Sequence, residues 1–208
     1  KTGERHNSEK RAFVIKRFDR TADGQTRHFE EFNQLLSRVS EDKYDASYED
    51  MADFILENDR LCLRLESEKL YRRILACILL GNTDAHLKNF AMFHTEEGLR
   101  LTPAYDLVAS ADYKEYQTLA LGIEKAQNLR IGNLSPKNIA RLGLLYQLPR
   151  GAIMLAVEDF EKRLDKTQET VAKTKGVRNS LKDKLHEMIE KRWNGTFASI
   201  GDYLSKKP

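Results

Sequence analysis

The stretch that decides the fold is "LLGNTDAHLKNF", residues 79–90. The apolar run "ILACILL" (74–80) ends at Gly81 and turns at once into a polar cluster carrying Asp84, His86, Lys88 and Asn89. A second acid, Asp106, follows within "LTPAYDLVAS" (101–110). A helix that is apolar on all sides is a buried one. The juxtaposition therefore sets charged and hydrogen-bonding chemistry on a rigid footing at the rim of the core.

Upstream of this stretch, Leu65, Tyr71, Ile74, Leu75, Ile78 and Leu79 mark one helix, and Met51, Phe54 and Ile55 an earlier one. Downstream, "NFAMFH" and "LRLTP" read as a hairpin around Glu97-Gly98. Beyond Asp112 the chain reads as helical again. Ser135-Pro136 is an N-cap and first-turn pair that opens a helix with Ile139, Leu142 and Leu145. A second helix carries Ile153, Val157, Phe160 and Leu164. A third carries Val177, Leu181, Leu185, Met188, Ile189 and Trp193 and stops at Asn194-Gly195. Toward the beginning of the chain, "AFVIKRFDR" (12–20) alternates large apolar and basic residues as a half-buried strand does, and Ala22-Asp23-Gly24 supplies a turn. Between them and the helices lie "HFEEFNQLLSRV" (28–39), a short amphipathic helix or irregular lid, and the polar loop "SEDKYDASYED" (40–50). The expected fold class is mainly α with a small β component.

The 208 residues and 24.0 kDa suffice for a sizeable core, and 40% hydrophobic with 32% charged residues describes a soluble globular chain. The longest apolar run is too short to span a bilayer, and the polar first ten residues do not read as a signal peptide. A net charge of +3 arises from interspersed signs and argues only weakly for nucleic acid. Two isolated thiols, Cys62 and Cys77, suit a reducing cytoplasm better than a disulfide scaffold.

Within 81–106, an aspartate followed five residues later by an asparagine can project both side chains from one loop into one cleft. A hairpin brings its ends together, so Asp106 can return to the same cleft. One acid and one amide oxygen suit a hard cation such as Mg²⁺, which completes its shell with water and phosphate. The other acid, Asp84, is then free to accept a proton from an attacking hydroxyl. Phosphoryl transfer needs mainly this positioning, charge neutralisation and one oriented base. Each residue also has a structural reading. Asp84 could cap a helix at 85–90, Asn89 could satisfy a turn, Asp106 could cap "LVAS", and His86 could be a hydrogen-bonding spacer. A zinc set of Asp84, His86 and His94 matches none of the usual ligand spacings.

"GNTDAHLKNF" followed by "LRLTPAYDLVAS" resembles the catalytic loop and metal-binding segment of the HipA-type Ser/Thr kinases, toxins of bacterial toxin-antitoxin modules. "VIKRFDR" resembles that family's strand ending at the nucleotide hinge, and "KYDASYED" its Lys-Tyr loop. The resemblance covers roughly residues 12–110, in the family's order. It implies Asp84 as catalytic base with Lys88 near the transferred phosphate, and Asn89 and Asp106 as Mg²⁺ ligands. It further implies that Lys16, Arg17, Phe18 and Asp19 line the ATP site, with His86 beside it. The implied fold is the large, C-terminal lobe of a protein-kinase-like architecture. Residues 1–20 would be the hinge strand and the end of the small lobe, and 21–208 the helical catalytic lobe with its catalytic and metal loops at 81–110.

The phosphate-covering loop and strand lysine of a small lobe are not found before Phe13, so the chain reads as a large lobe whose small lobe lies elsewhere or on a separate polypeptide. Family analogy implies a protein substrate such as an aminoacyl-tRNA synthetase, an antitoxin as partner, and DNA reached only through that antitoxin. The alternative is a non-catalytic helical module binding an antitoxin or antitoxin–DNA complex, with Lys182, Lys184, Lys191 and Arg192 on the last helix facing phosphates.

Overall fold

The structure, a computed structural model, describes residues 14–206. Strand β1 (Phe29–Glu31) runs directly into the single-turn helix α1 (Phe32–Leu35). Helices α2 (Tyr48–Glu57) and α3 (Leu65–Leu80) follow, then the hairpin strands β2 (Ala91–Thr95) and β3 (Gly98–Leu101). The remainder is helical: α4 (Pro136–Leu145), α5 (Arg150–Glu161), α6 (Leu164–Lys173), α7 (Asn179–Gly195) and α8 (Ile200–Ser205). The fold is mainly α with one small sheet.

Helix α3 is the axis of the core. Leu70, Tyr71, Ile74, Leu75 and Ile78 are buried among Met51 and Ile55 of α2, Ile139 and Leu142 of α4, and Ile189 and Trp193 of α7. Each such aliphatic side chain contributes about 1.5–3 kcal/mol by leaving water. Helices α4 and α5 approach closely because position 143 is glycine: a Cβ there would lie 2.7 Å from Ile153 and 3.1 Å from the Tyr71 ring. Ser135 caps α4 as its sequence suggests, accepting the Asn138 N–H, with Pro136 in the first turn.

The sheet is antiparallel in the order β1-β2-β3, with Glu30 opposite Met92 and Met92 opposite Leu101. Period-two alternation gives it two distinct faces. Met92 and Leu99 lie buried on one, where Glu66 of α3 accepts the Leu101 N–H at 2.9 Å. Phe29 and Phe93 occupy the other, joined by Phe18 (5.4 and 5.7 Å between ring centres) and, through Phe18, by Tyr105 at 5.3 Å.

Four segments differ from the sequence expectation. No strand forms over 14–17, where Val14 and Ile15 are 81% and 63% exposed, because no strand among the described residues lies beside them; Ala12 and Phe13 of that stretch fall outside the described residues. The amphipathic stretch 28–39 shortens to α1, since Phe29 is drawn into β1 by pairing with Phe93. Residues 113–130 are not helical: they form an irregular loop tied by the bridges Thr118–Arg130, Ile123–Ala126 and Ser47–Gly122, with Glu124, Lys125 and Asn128 at positive φ. The helix carrying Ile153 stops at Glu161, so Leu164 belongs to α6, while Val177 precedes α7.

Candidate active site

The site begins where α3 ends. Gly81 adopts the left-handed conformation (φ 80°), the Asn82 N–H returns to the Cys77 carbonyl at 2.8 Å, and the Gly81 N–H returns to Ile78 at 3.1 Å. This pair of bonds satisfies carbonyls that a helix end leaves open. Arg192 of α7 adds a donor to the Leu79 carbonyl at 3.4 Å, and burial pulls its guanidinium down to about 10.

The loop from Asn82 to Asn89 is then fixed from several sides. The Thr83 N–H donates to Ser110 Oγ at 2.9 Å, the two hydroxyls lie 2.8 Å apart, and Thr83 Oγ1 donates to the Tyr116 carbonyl at 2.9 Å. Asn82 Nδ2 donates to the Asp106 carbonyl at 3.2 Å. Tyr105 donates to the Lys88 carbonyl at 2.7 Å, and Tyr48 to the Ala85 carbonyl at 3.2 Å. Asn82, Thr83 and Ser110 are buried. The catalytic-type loop and the segment containing Asp106 are thus one hydrogen-bonded unit.

Asn89 and Asp106 meet within it: Asn89 Nδ2 donates to Asp106 Oδ2 at 2.7 Å. The orientation of the Asn89 amide is settled by its other end, because Oδ1 accepts the His86 N–H at 3.0 Å and only an oxygen can do so. Asp106 sits at φ 53°, a conformation that costs a non-glycine residue energy and is held here by its neighbours. Asp84 lies exposed on the same loop, and its Oδ1 accepts the Tyr44 hydroxyl at 2.8 Å. Burial, reinforced by that bond, pushes the Tyr44 phenol up to about 12, so it remains a proton donor across the neutral range. A cleft of about 340 Å³ opens beside Asp84, lined by Tyr44, Thr83, Tyr116, Leu119, Gln127 and neighbouring residues.

The capping readings of Asp84 and Asp106 do not materialise, since Asp84 faces a phenol and Asp106 an amide. The turn reading of Asn89 holds alongside its contact with Asp106, because it closes the single 3-10 turn Leu87–Asn89. His86 is buried with its ring edge-on to Tyr44 at 5.1 Å; burial, with Lys43 nearby, lowers its pKa. Lys88 donates to Ser40 Oγ at 2.9 Å. Of the four residues proposed around the nucleotide edge, Lys16 and Arg17 are exposed, Phe18 anchors to the aromatic face of the sheet, and Asp19 is buried and paired with Arg17 (2.8 Å). That guanidinium holds the Asp19 carboxyl below the usual carboxylate range. His94 is not in this site; it lies on β2 beside Glu30 at 2.6 Å. Sequence reading passed over Asn82, Thr83, Ser110 and Tyr105. The position of Asn82 immediately after a helix-ending glycine was the one local signal among them.

A mainly helical lobe whose central buried helix delivers an Asp–Asn loop against an aspartate beyond a hairpin is the large lobe of a protein-kinase-like fold. The chain belongs to the HipA-like C-terminal domain family, whose pattern it matches over residues 2–191. It is 46% identical over 48 residues, 23% of its length and 11% of the other, to the serine/threonine-protein kinase toxin HipA of Shewanella oneidensis. Protein Y4dM of Sinorhizobium fredii is 29% identical over 185 residues, 88% of this chain and 41% of that one. The chain thus spans well under two thirds of the length of these two relatives. Among solved structures it is similar to HipA of Shewanella oneidensis, in complex with HipB and operator DNA, with a TM-score of 0.71 and 20% identity over 89% of this chain and 49% of that one. The Helicobacter pylori proinflammatory kinase CtkA follows with a TM-score of 0.58 and 14% identity over 86% of this chain and 72% of that one.

Proposed function

We propose that the chain is the catalytic lobe of an ATP-dependent Ser/Thr protein kinase of HipA type, with residues 1–20 as hinge and end of the small lobe and 21–208 as the catalytic lobe. The observation that carries this reading is the contact of Asn89 with Asp106 at 2.7 Å, on a loop that also exposes Asp84 to a cleft. The residue types fit Mg²⁺: Asp106 offers an exposed carboxylate, and the Asn89 amide, whose nitrogen faces Asp106 while its oxygen accepts the His86 N–H, would turn its oxygen to the ion, which keeps waters and phosphate oxygens in its other positions. Mg²⁺ bound there would supply neutralisation of phosphate charge.

The other roles belong to the chain's own groups. Asp84 accepts the proton of the acceptor hydroxyl; its carboxylate already accepts an O–H bond from Tyr44, at a distance suited to a nucleophile and its base. The backbone of Lys16 to Phe18 holds the adenine edge with Asp19 near the ribose, a reading supported by the packing of Phe18 on Tyr105, next to Asp106. Lys88 approaches the transferred phosphate after leaving Ser40, and His86 braces the nucleotide side of the loop. The acceptor is a protein hydroxyl, an aminoacyl-tRNA synthetase by family analogy, and the partner an antitoxin through which DNA is reached. A small lobe completes the phosphate grip. The free, buried thiols Cys62 and Cys77 suit a reducing cytoplasm. No helix among the described residues is long and apolar enough to cross a membrane.

Nucleotide binding tests the metal half. For the full-length protein, ATP with Mg²⁺ at a hundredfold excess over Kd should raise the melting temperature by about 5–10 °C. Asp106→Ala should remove most of that rise. An undiminished Mg²⁺-dependent rise in the variant would overturn the assignment.

A further inference from the structure

On the far end of the hairpin from Asn89, β1, the residue just before it and β2 bring together three metal-ligating side chains. Strand register places His28 directly across from His94, whose backbone N–H bonds the His28 carbonyl at 3.1 Å. Glu30, two residues along β1, shares their face of the sheet by period-two alternation. The result is a compact set: one ligand atom each of His28, Glu30 and His94 lies within 4.8 Å of the others. His94 Nε2 and Glu30 Oε2 are 2.6 Å apart, and the two imidazole centres are 4.6 Å apart. Among the described residues, this is the one group of three His, Cys, Asp or Glu side chains so arranged.

We propose that His28, Glu30 and His94 form a site for a divalent transition-metal ion of the Zn²⁺ type. Two imidazoles and one carboxylate are the ligand class such an ion selects, whereas Mg²⁺ prefers oxygen alone. Ligands on a tetrahedral ion with bonds of ~2.0–2.1 Å sit about 3.4 Å apart. The His94–Glu30 pair, at 2.6 Å, needs to open slightly, a movement within side-chain rotation because all three side chains are at least partly exposed. The exposure leaves a fourth position for water. His94 lies five residues beyond Asn89, roughly 16 Å along an extended strand, so the ion is separate from the Mg²⁺ ligands. Its effect is mechanical. Residue 28 ends the segment that carries Phe18 and Asp19, and β2 is the strand leaving the 82–89 loop; an ion bridging them staples one to the other. The site does not depend on the kinase reading and stands or falls without it.

The test is metal titration of the chain after chelation and desalting, followed by calorimetry and melting temperature, with Zn²⁺ and Mg²⁺ in parallel. Zn²⁺ should bind one per chain and raise the melting temperature, while equal Mg²⁺ does neither. His28→Gln and His94→Gln should each weaken that binding at least tenfold; His86→Gln and His186→Gln, at the other described histidines, should not. Co²⁺ substitution provides a second readout: visible absorption of a low-coordinate imidazole-ligated ion that is lost in His94→Gln. Binding unchanged in both strand-histidine variants, or no Zn²⁺ binding by a folded chain, would overturn the proposal.

Discussion

Replacing Ser110 with alanine tests how the loop carrying Asp84 is held. In the native protein Ser110 Oγ accepts the Thr83 N–H at 2.9 Å and meets the Thr83 hydroxyl at 2.8 Å, with Thr83 3% and Ser110 8% exposed. Alanine removes no volume of consequence, but it strands the Thr83 N–H with no acceptor in a site closed to water. An orphaned buried donor costs about 1–3 kcal/mol. The Thr83 hydroxyl keeps the Tyr116 carbonyl, and the Gly81 carbonyl keeps the Ala111 N–H at 3.0 Å, so neither adds to the loss. For a chain of this size, each kcal/mol lowers the melting temperature by roughly 2–4 °C, which gives a fall of about 2–12 °C by circular dichroism. A double-mutant cycle with Thr83→Val isolates the hydroxyl pair, and residues in direct contact should show a coupling of at least about 0.5 kcal/mol. A loss below about 0.5 kcal/mol in Ser110→Ala, or a cycle that closes to zero, would refute the claim that this clamp holds the loop.

Gly81→Ala forces an L side chain into the left-handed region, worth about 1–2 kcal/mol. Its Cβ would sit 2.9 Å from both Arg192 Nη1 and Met188 Sδ, the flexible ends of two side chains that can shift. A loss near that range in urea denaturation is therefore expected, and a neutral substitution would contradict the cap. Cys77 is 2% exposed, and burial pushes its thiol from 9.0 up to about 12, so its thiolate at pH 8 is about a thousandfold scarcer than in an open chain. Thiol-reagent titration should leave it unreacted until denaturant is added; rapid native-state labelling of Cys77 would contradict this burial.

The elements legible in the sequence are those whose periodicity and termination agree. Helix α3 shows this in Ile74, Leu75 and Ile78 closed by Gly81, and α4 in Ser135-Pro136 before Ile139 and Leu142. The hairpin followed from the Glu97-Gly98 turn, and with it the return of Asp106 toward Asn89. What could not be read depends on partners distant in sequence. "AFVIKRFDR" alternates as a strand does, yet alternation forms no strand without a neighbour, and residues 14–17 have none among the described residues. Residues 113–130 carry helix formers, but long-range bonds prevail there: the Tyr48 backbone N–H donates to the Gly122 carbonyl at 2.9 Å, and the Lys125 backbone N–H to the buried Glu49 carboxylate at 2.6 Å. Within the site, the approach of Asp106 to Asn89 and the place of Asp84 on the same loop were legible from their spacing around the hairpin. The clamp of Thr83, Ser110 and Tyr116 was not, since hydroxyls 27 residues apart leave no periodic trace. Three of the four basic residues named on α7 find partners inside the molecule: Lys184 reaches Asp112 at 3.4 Å, Lys182 donates to the Ala172 carbonyl at 2.7 Å and Arg192 to the Leu79 carbonyl.

The central claim is that Asp84 is the base of a phosphoryl transfer. The direct measurement is transfer of labelled phosphate from ATP by the full-length protein carrying Asp84→Ala, with folding checked by its melting curve. Asp84 is exposed, so the variant should stay folded. Loss of a positioned base should lower the rate by about a hundredfold or more. Transfer within a few fold of the unsubstituted protein would contradict the account.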